Sequence, residues 1–412
     1  MLYFKTAVEP FKVITRSAIL RSATISSRGP RLDSLDLLRG VVMALMALDH
    51  ARDFFWLSPF EPTELAHTNA LTFTTRWVTH LCAPVFVFLA GTGAWLSQER
   101  GTTRIALARF LVTRGLWLIV LELTIVKFAW EGYSFDPHFF RLQVIWVLGV
   151  SMIALAGMVF LPLRLIVVLS ATMIVGHNAL DALTPGFLGS LGLLLRALHV
   201  SFALGAPPGK GWGIVIIYPL IPWIGVMALG YVVGSLLTGE GLRDNREARQ
   251  HLFLRLGVAL VAMFVLARAV NVYGDLRPWA VQSSYALTVM SFLNVTKYPP
   301  SLDYLLVTLG LASIVLAACE SWRGRFADIV LVFGRVPLFF YVLHLLVLHS
   351  VMLTIYRLDV GAWPSHESYR SGWGGLGQAY IAWLGVVSAL YLPCRWFRGM
   401  KARRRDWWLS YL

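Results

Sequence analysis

Charged residues are scarce in this chain. Asp, Glu, Lys and Arg make up 14% of its 412 residues, whereas roughly a quarter of an ordinary soluble domain is charged. Hydrophobic residues make up 57%, and the mean hydropathy is +0.66. Because a water-soluble fold cannot bury that much apolar surface, a soluble globular protein is excluded, and lipid is the expected solvent for most of the molecule.

Cysteines are also scarce. The chain has three, Cys82, Cys319 and Cys394, which lie within or at the ends of apolar runs and have no paired spacing. This pattern excludes a disulfide framework and a thiolate metal site. We expect three buried, unreactive thiols.

Neither a basic folded domain nor a removable signal peptide is predicted. Its net charge is +14, but the basic residues lie in short segments between apolar runs, so no nucleic-acid partner is predicted. The N-terminal segment has no continuous apolar stretch followed by a cleavage site. We interpret residues 1–30 as a basic cytoplasmic tail, 31–397 as a transmembrane domain, and 398–412 as a second basic cytoplasmic tail.

Long apolar runs recur along the whole chain. Each has about 20 residues, enough to cross ~30 Å of hydrocarbon at ~1.5 Å per residue. The predicted fold is an all-α, polytopic integral membrane helix bundle. The ten predicted helices span approximately residues 36–56, 75–97, 108–130, 142–161, 163–182, 213–237, 252–272, 302–319, 333–356 and 377–397.

The loops between these runs differ in basic charge. Loop 57–74 has no Lys or Arg, whereas loops 98–107, 238–251 and 320–332 each carry arginines. The positive-inside rule therefore predicts that both termini are cytoplasmic. Residues 161–164 predict a tight hairpin between the fourth and fifth helices, and the short run 187–200 predicts an outer-surface or re-entrant helix.

Several ionisable residues fall at lipid depth, where each costs free energy unless it is paired or lines a wet cavity. Counting helical rise places Asp49 and His50 in the outer half of the membrane, with His80, His344 and His349 in the same layer. A histidine there suits general acid and base catalysis, although it can also simply bond a neighbouring helix. A zinc site is not predicted, because no His-Glu-x-x-His spacing occurs.

The third helix carries Glu122 and Lys127, for which we expect pairing partners on other helices. Arginines near the inner helix ends are either anchors or contacts for an anionic ligand that enters from the cytosol. These are Arg39, Arg100, Arg104, Arg109, Arg114 and Arg335. On the outer side, the loop between Asp275 and Ser301 places Lys297 and Tyr298 where a sugar or an acid would bind.

Five segments carry a resemblance to a known family: RLDSLDLLRGVVMALMALDHARDFF (31–55), THLCAPVFVFLAG (79–91), YPLIPWIGVM (218–227), SFLNVTKYPPSL (291–302) and GRVPLFFYVLH (334–344). They resemble the bacterial branch of the heparan α-glucosaminide N-acetyltransferase catalytic-domain family, over roughly residues 31–350. The resemblance implies a transmembrane enzyme that takes acetyl from cytosolic acetyl-CoA and passes it to an amino sugar or another glycan on the far side. The resemblance also implies which residues act, because the chemistry of the family's eukaryotic enzymes depends on a polar residue late in the first helix and on a histidine in the following loop or at the start of the second helix. The first residue maps onto His50. The second maps loosely onto His67, with His80 as the alternative.

The predicted function is therefore acyl transfer to a cell-envelope carbohydrate in the bacterial inner membrane. We expect His50 to act as a general base oriented by Asp49, with Arg52 or Lys297 stabilising the oxyanion and Asp53, Lys297 and Tyr298 contacting the acceptor. Direct transfer and an acyl-histidine intermediate are both open. Expected partners are acetyl-CoA, the acceptor, membrane lipid and further copies of the chain in a homo-oligomer.

A proton-coupled transporter is the alternative function. In that case Asp49, His50, His80 and Glu122 would form a proton relay, and no bond would be made. A cytosol-facing basic pocket of nucleotide size would favour the enzyme, because a proton-coupled carrier does not need one.

Overall fold

The computed structural model describes residues 32–56, 60–132, 135–182, 191–363 and 374–404, together with Asp406, Leu409 and Tyr411. The predicted N-terminal tail, residues 1–30, lies outside them. The described chain is mainly helical. Its elements are α1 (Asp33–Phe55), α2 (Ala70–Val78), α3 (Cys82–Glu99), α4 (Arg104–Leu121), α5 (Lys127–Glu131), β1 (Phe139–Leu142), α6 (Val144–Met158), α7 (Leu163–Val175), α8 (Leu191–His199), β2 (Phe202–Gly205), β3 (Gly213–Ile216), α9 (Leu220–Leu237), α10 (Arg246–Val270), α11 (Tyr285–Leu293), α12 (Leu302–Ser321), α13 (Arg325–Gly334), α14 (Pro337–Val360) and α15 (Leu376–Arg403).

Six helical segments of the described chain are long and apolar enough to cross a membrane. They are Ala70–Glu99, Leu220–Leu237, Arg246–Val270, Leu302–Ser321, Pro337–Val360 and Leu376–Arg403. The other four predicted helices also exist as helices: α1, α4 with its extension α5, α6 and α7. The prediction of a membrane helix bundle is therefore supported by the helix content and by six helices long and apolar enough to span a membrane.

The sixth predicted helix was wrong at its beginning. Residues 213–216 form strand β3, and α9 begins only at Leu220, directly after Pro219. Proline lacks an N–H and has a fixed φ, so it suits the start of a helix. By contrast, the predicted break between the fourth and fifth helices is confirmed, because α6 and α7 are separate helices joined by residues 159–162. Both pack against α9 rather than closely against each other, so they do not form the tight hairpin that was expected. Of the predicted helix at 187–200, the described part contains α8.

Glycines bring neighbouring helices into close contact. A Cβ atom added to Gly115 on α4 would lie 2.5 Å from the carbonyl oxygen of Gly149 on α6, and the reverse substitution would meet Gly115 at the same distance. On α3, a Cβ at Gly91 would lie 1.9 Å from the carbonyl oxygen of Met227 on α9. Small residues allow this approach, which is how helices in lipid gain packing contacts.

Buried polar contacts join helix termini at one end of the bundle. Ser34 at the start of α1 donates to Glu320 at the end of α12 over 2.7 Å, and Arg249 near the start of α10 donates to both oxygens of Glu320. Arg335, after α13, pairs with Asp33 at 2.7 Å. Helices α1 and α10 therefore begin where α12 ends, as alternate threading of the helices requires.

A three-stranded sheet, which was not predicted, lies at the opposite end of the bundle. The strand order is β1-β3-β2, with β1 parallel and β2 antiparallel to β3. Lys127 fastens the sheet to α5, because its buried ammonium donates to the carbonyls of Asp136 and Phe139 and pairs with Glu131 at 3.3 Å. Backbone N–H groups of Gly209 and His138 hold the pKa of the Asp136 carboxyl below its usual range.

The expectation that Glu122 and Lys127 have pairing partners on other helices is confirmed for Glu122 and wrong for Lys127. Lys127 finds its carboxylate, Glu131, one turn further along its own helix. Glu122 lies in a π-helical turn, Glu122–Val126, and its carboxylate accepts from the backbone N–H of Trp146 in the first turn of α6 at 3.1 Å. The N-terminus of a helix carries partial positive charge, so it takes the place of a basic side chain.

Candidate active site

A polar cavity of about 280 Å³ opens near the sheet-bearing end of the bundle. Side chains from α1, α2, α5, α6, α14 and the connecting loops converge on it. Its lining residues are Asp49, His50, Arg52, Asp53, Trp56, Phe60, Glu61, Pro62, Arg76, Trp130, Gln143, Val144, Tyr218, Lys297, Tyr298 and Tyr341. The cavity thus brings together six of the residues predicted for catalysis or acceptor binding: Asp49, His50, Arg52, Asp53, Lys297 and Tyr298.

His50 contacts a second histidine. Its Nδ1 lies 2.7 Å from Nε2 of His344, while Nδ1 of His344 lies 2.9 Å from the carbonyl oxygen of Phe340. A carbonyl can only accept, so Nδ1 of His344 carries a proton and donates it, and in a neutral ring Nε2 must then accept from Nδ1 of His50. This chain of contacts leaves Nε2 of a neutral His50 unprotonated, and within the described residues no group donates to it.

The Asp49 carboxylate is held by other groups. Both of its oxygens accept from Arg76 at 2.7 Å, and one also accepts from Thr79 at 2.9 Å and from Arg52 at 3.1 Å. The expectation that Asp49 orients His50 through a hydrogen bond was therefore wrong, since His344 makes that contact. Asp49 instead fixes two guanidinium groups beside the cavity.

Further cationic groups face the cavity. Arg52 donates to Asp53 over 2.6 Å, and its Nε is buried without a hydrogen-bond partner among the described residues. The half-buried ammonium of Lys297 lies 5.2 Å from the ring centroid of Tyr298 and forms no hydrogen bond within the described chain. Tyr298 donates to the hydroxyl of Tyr218 at 3.2 Å. Positive charge is thus available where an oxyanion would need it.

Three other histidines lie away from the cavity lining. His80 is buried against the ring of Tyr304, with centroids 5.5 Å apart. The exposed His67 bonds Glu64 at 3.2 Å, and its ring centroid is 5.6 Å from that of Phe60 on the cavity wall. His349 bonds the carbonyl of Ala129. The predicted single layer therefore separates: His50 lines the cavity and contacts the buried His344, whereas His80 and His349 have contacts elsewhere.

The arginines predicted to bind a nucleotide do not line this cavity. Arg39 pairs with Asp36 at 2.7 Å, and Arg335 pairs with Asp33 at the same distance. Arg100, Arg104 and Arg109 are exposed, and Arg114 is half-buried with its guanidinium over Phe110.

A second, more open cavity of about 750 Å³ lies at the α9–α10 loop. It is lined by residues 238–241 and 243–247, among which acidic residues outnumber basic ones by three to two. It does not have the basic character predicted for a nucleotide pocket. Among the described residues, no group of three or more His, Cys, Asp and Glu side chains is arranged to hold a metal ion.

Sequence reasoning missed several cavity residues, most importantly Arg76. It is the second residue of the predicted helix 75–97 and resembles an ordinary cation at a helix end, although its spacing of three residues from Thr79 indicates a shared helix face. Trp130, Gln143, Tyr218 and Tyr341 also reach the cavity. Their positions gave no signal, because aromatic residues at helix ends are typical of membrane interfaces.

Comparison with known proteins agrees with the motifs. A search of curated proteins found no match to the chain. Residues 31–263, more than half of the chain, match the family model described as heparan-alpha-glucosaminide N-acetyltransferase, catalytic. The match includes Asp49, His50 and Arg76, while Lys297 and His344 lie beyond its C-terminal boundary. The chain belongs to the heparan-alpha-glucosaminide N-acetyltransferase catalytic-domain family.

Proposed function

We propose that the protein transfers an acetyl group from acetyl-CoA to a hydroxyl or amine of a cell-envelope carbohydrate, with the polar cavity as the reaction site. The observation that carries this proposal is the His50–His344 contact. It leaves Nε2 of His50 as an unprotonated nitrogen on a residue that lines the cavity, beside the cationic side chains of Arg52, Arg76 and Lys297. A base beside oxyanion-stabilising groups is the arrangement that acyl transfer needs.

The chemistry follows from these positions. Nε2 of His50 takes the proton from the acceptor hydroxyl or amine as that group attacks the thioester carbonyl. The ammonium of Lys297 or the guanidinium of Arg52 stabilises the resulting oxyanion. When the carbon–sulfur bond breaks, the CoA thiolate leaves and takes the proton back from His50. Asp53 and Tyr298 contact the acceptor in this scheme.

The membrane arrangement belongs to the same proposal. Ten helices cross the bacterial inner membrane with both termini in the cytoplasm, so the cavity lies toward the outer surface. His50 is then roughly 25 Å along α1 from Asp33, at 1.5 Å rise per residue. The donor enters from the inner side, where Arg100, Arg104, Arg109 and Arg114 supply positive charge for its phosphates.

The contacts of Glu122 and His80 favour this function over a proton relay. Neither residue lines the cavity. Glu122 bonds the N-terminus of α6, and His80 packs against Tyr304. A relay from Asp49 through these groups would need contacts between them, and the described contacts of each lead elsewhere.

The test uses the purified full-length protein. Radiolabelled acetyl-CoA is supplied with amino sugars and simple glycans, and label transfer is measured beside thermal stabilisation by acetyl-CoA, free CoA and ATP. We expect acetyl-CoA and CoA to stabilise the protein and His50→Ala to lose transfer while it keeps donor binding. Stabilisation by none of these nucleotides would refute the proposal.

A further inference from the structure

The residues that present Lys297 and Tyr298 to the cavity form a tight turn. Lys297 and Pro300 pair as an isolated antiparallel bridge, and the N–H of Ser301 donates to the carbonyl of Thr296 at 3.0 Å. The turn is closed at its base by the residues on either side of it, Thr296 and Ser301. The position of the Lys297 ammonium therefore depends on what holds that base.

Asp275 holds it. One carboxylate oxygen accepts from the N–H of Thr296 at 2.8 Å and from the hydroxyl of Ser301 at 2.7 Å, so it ties both ends of the turn together. The other accepts from the hydroxyl of Thr296 at 2.7 Å and from the N–H of Arg277 at 2.8 Å. The Asp275 side chain is 2% exposed and does not line the cavity.

Arg268 fixes the surroundings of this carboxylate. The guanidinium is 2% exposed and donates to the backbone carbonyls of Arg277, Ser291, Phe292 and Asn294, which lie in the segment between α10 and α12 and include the end of α11. It lies 4.0 Å from Asp275 and 3.7 Å from Asp303. The end of α10 thus carries a buried cation around which the loop is wrapped.

We propose that Asp275 is a positioning residue, which sets where Lys297 and Tyr298 stand in the cavity and thereby the rate of acyl transfer. The kinetic part of this inference rests on the proposed function. Asp275 touches neither donor nor acceptor and acts through the turn. Misplacement by about 1 Å of a group that stabilises a transition state costs on the order of 10²-fold in rate.

Asp275→Asn is the informative substitution because it keeps the shape of the side chain. Whichever oxygen becomes an amide nitrogen, it then faces a backbone N–H, that of Thr296 or that of Arg277, and a buried donor loses its acceptor. Thr296→Val is a milder variant that removes one hydroxyl bond to Asp275. Glu320→Gln is the matched control, since Glu320 is another buried carboxylate paired with an arginine at the far end of the bundle.

The experiment measures the reactivity of Lys297 together with turnover. Folded protein in detergent is treated briefly with a water-soluble amine-reactive ester, and labelling of Lys297 is quantified by mass spectrometry against buried Lys127 as internal reference. In Asp275→Asn we expect several-fold faster labelling of Lys297, unchanged Lys127, and a fall in kcat of about tenfold or more with KM for acetyl-CoA unchanged. Thr296→Val should shift both readouts less, and Glu320→Gln should shift neither.

The outcomes separate the two proposals. Unchanged Lys297 labelling in Asp275→Asn and Thr296→Val would overturn the inference, as would an equal rise at Lys127, which indicates general loosening. If the parent protein transfers no acetyl group while Lys297 still responds to Asp275→Asn, the proposed function fails and the structural role of Asp275 stands. If Lys297 responds but kcat does not, the kinetic part of the inference is wrong.

Discussion

Nδ1 of His50 lies 2.7 Å from Nε2 of His344, and the two rings are within 10° of parallel. The far nitrogen of His344 is committed to the carbonyl of Phe340. Because Nδ1 of His344 donates to this backbone carbonyl, Nε2 of His344 accepts from Nδ1 of His50. Nε2 is therefore the nitrogen of His50 that can accept a proton.

The first prediction concerns this pair. His50→Ala should lower turnover by the ~10²- to 10⁴-fold typical of losing a general base. His344→Ala should cost roughly 10- to 100-fold, because it removes one buried hydrogen bond worth about 1 to 3 kcal/mol and frees His50 to adopt the other tautomer. Steady-state kinetics of both variants and of the double variant would test this.

Because the two histidines act as one unit, their effects should not add. The double variant should be no slower than His50→Ala alone. Fully additive losses would mean that His344 contributes independently of His50, and the hydrogen-bond direction argued here would not account for its role.

The existence of the helices was predictable from the sequence because hydrophobic length is a strong local signal in a chain that lies in lipid. The break between α6 and α7 was predictable because Pro162 and Arg164 interrupt the apolar sequence there. The small sheet was not predictable in the same way. Strands β1, β2 and β3 have four residues each, and the pairing of β1 with β3 joins segments about 70 residues apart.

The candidate site was only partly predictable for a related reason. Helical spacing along α1 predicted one face for Asp49, Arg52 and Asp53, and these residues line the cavity together with His50. Helical spacing could not determine the hydrogen-bond partner of each side chain, because that partner depends on the rotation of the neighbouring helices. Arg76 satisfies Asp49, and His344 reaches His50 in its place. The partner of Glu122 is a backbone N–H at the N-terminus of α6, which no side chain in the sequence indicates.

The second prediction concerns the Asp49–Arg76 pair and is about stability. Both side chains are 13% exposed, and removing one member of a buried pair leaves the other charge uncompensated at a cost of about 3 kcal/mol. Asp49→Ala should therefore lower the thermal unfolding midpoint clearly. Asp53→Asn is the control, because Asp53 is 37% exposed and, among the described residues, bonds only Arg52, and its loss should cost less than about 1 kcal/mol. Equal destabilisation by both would contradict this account.

The third prediction concerns topology. Glu64 lies in an exposed outer loop and Arg243 in an exposed inner loop of the proposed arrangement. The three native cysteines are buried, so a single cysteine introduced at either position can be followed with little background. An impermeant thiol reagent applied to whole cells should label position 64 and leave position 243 unlabelled until the membrane is opened. The reverse pattern would invert the proposed orientation and place the cavity on the cytoplasmic side.

The fourth prediction concerns the donor. Replacing both Arg109 and Arg114 with glutamate should weaken binding of acetyl-CoA by roughly 10- to 100-fold for each lost phosphate contact, at about 1.5 to 3 kcal/mol apiece. Arg164→Glu is the matched control, an exposed arginine in the first turn of α7 at the same predicted side. Arg243→Glu tests the α9–α10 loop cavity as the competing site. Loss of affinity in Arg243→Glu alone would move the donor there.

The last prediction separates the two histidines that the family resemblance leaves as alternatives, His67 and His80. His80 is 5% exposed, and its Nδ1 is buried without a hydrogen-bond partner among the described residues. Replacing it with leucine removes an unsatisfied polar atom and should leave the thermal midpoint equal or higher, with little change in turnover. The side chain of His67 is 59% exposed beside the cavity wall, so His67→Ala should change stability by less than about 0.5 kcal/mol and raise KM for the acceptor. The kcat, KM and unfolding midpoints of both variants, measured beside His50→Ala, decide the assignment. If His80→Leu lost turnover at unchanged stability, the reacting group would lie deeper than the cavity described here, at His80.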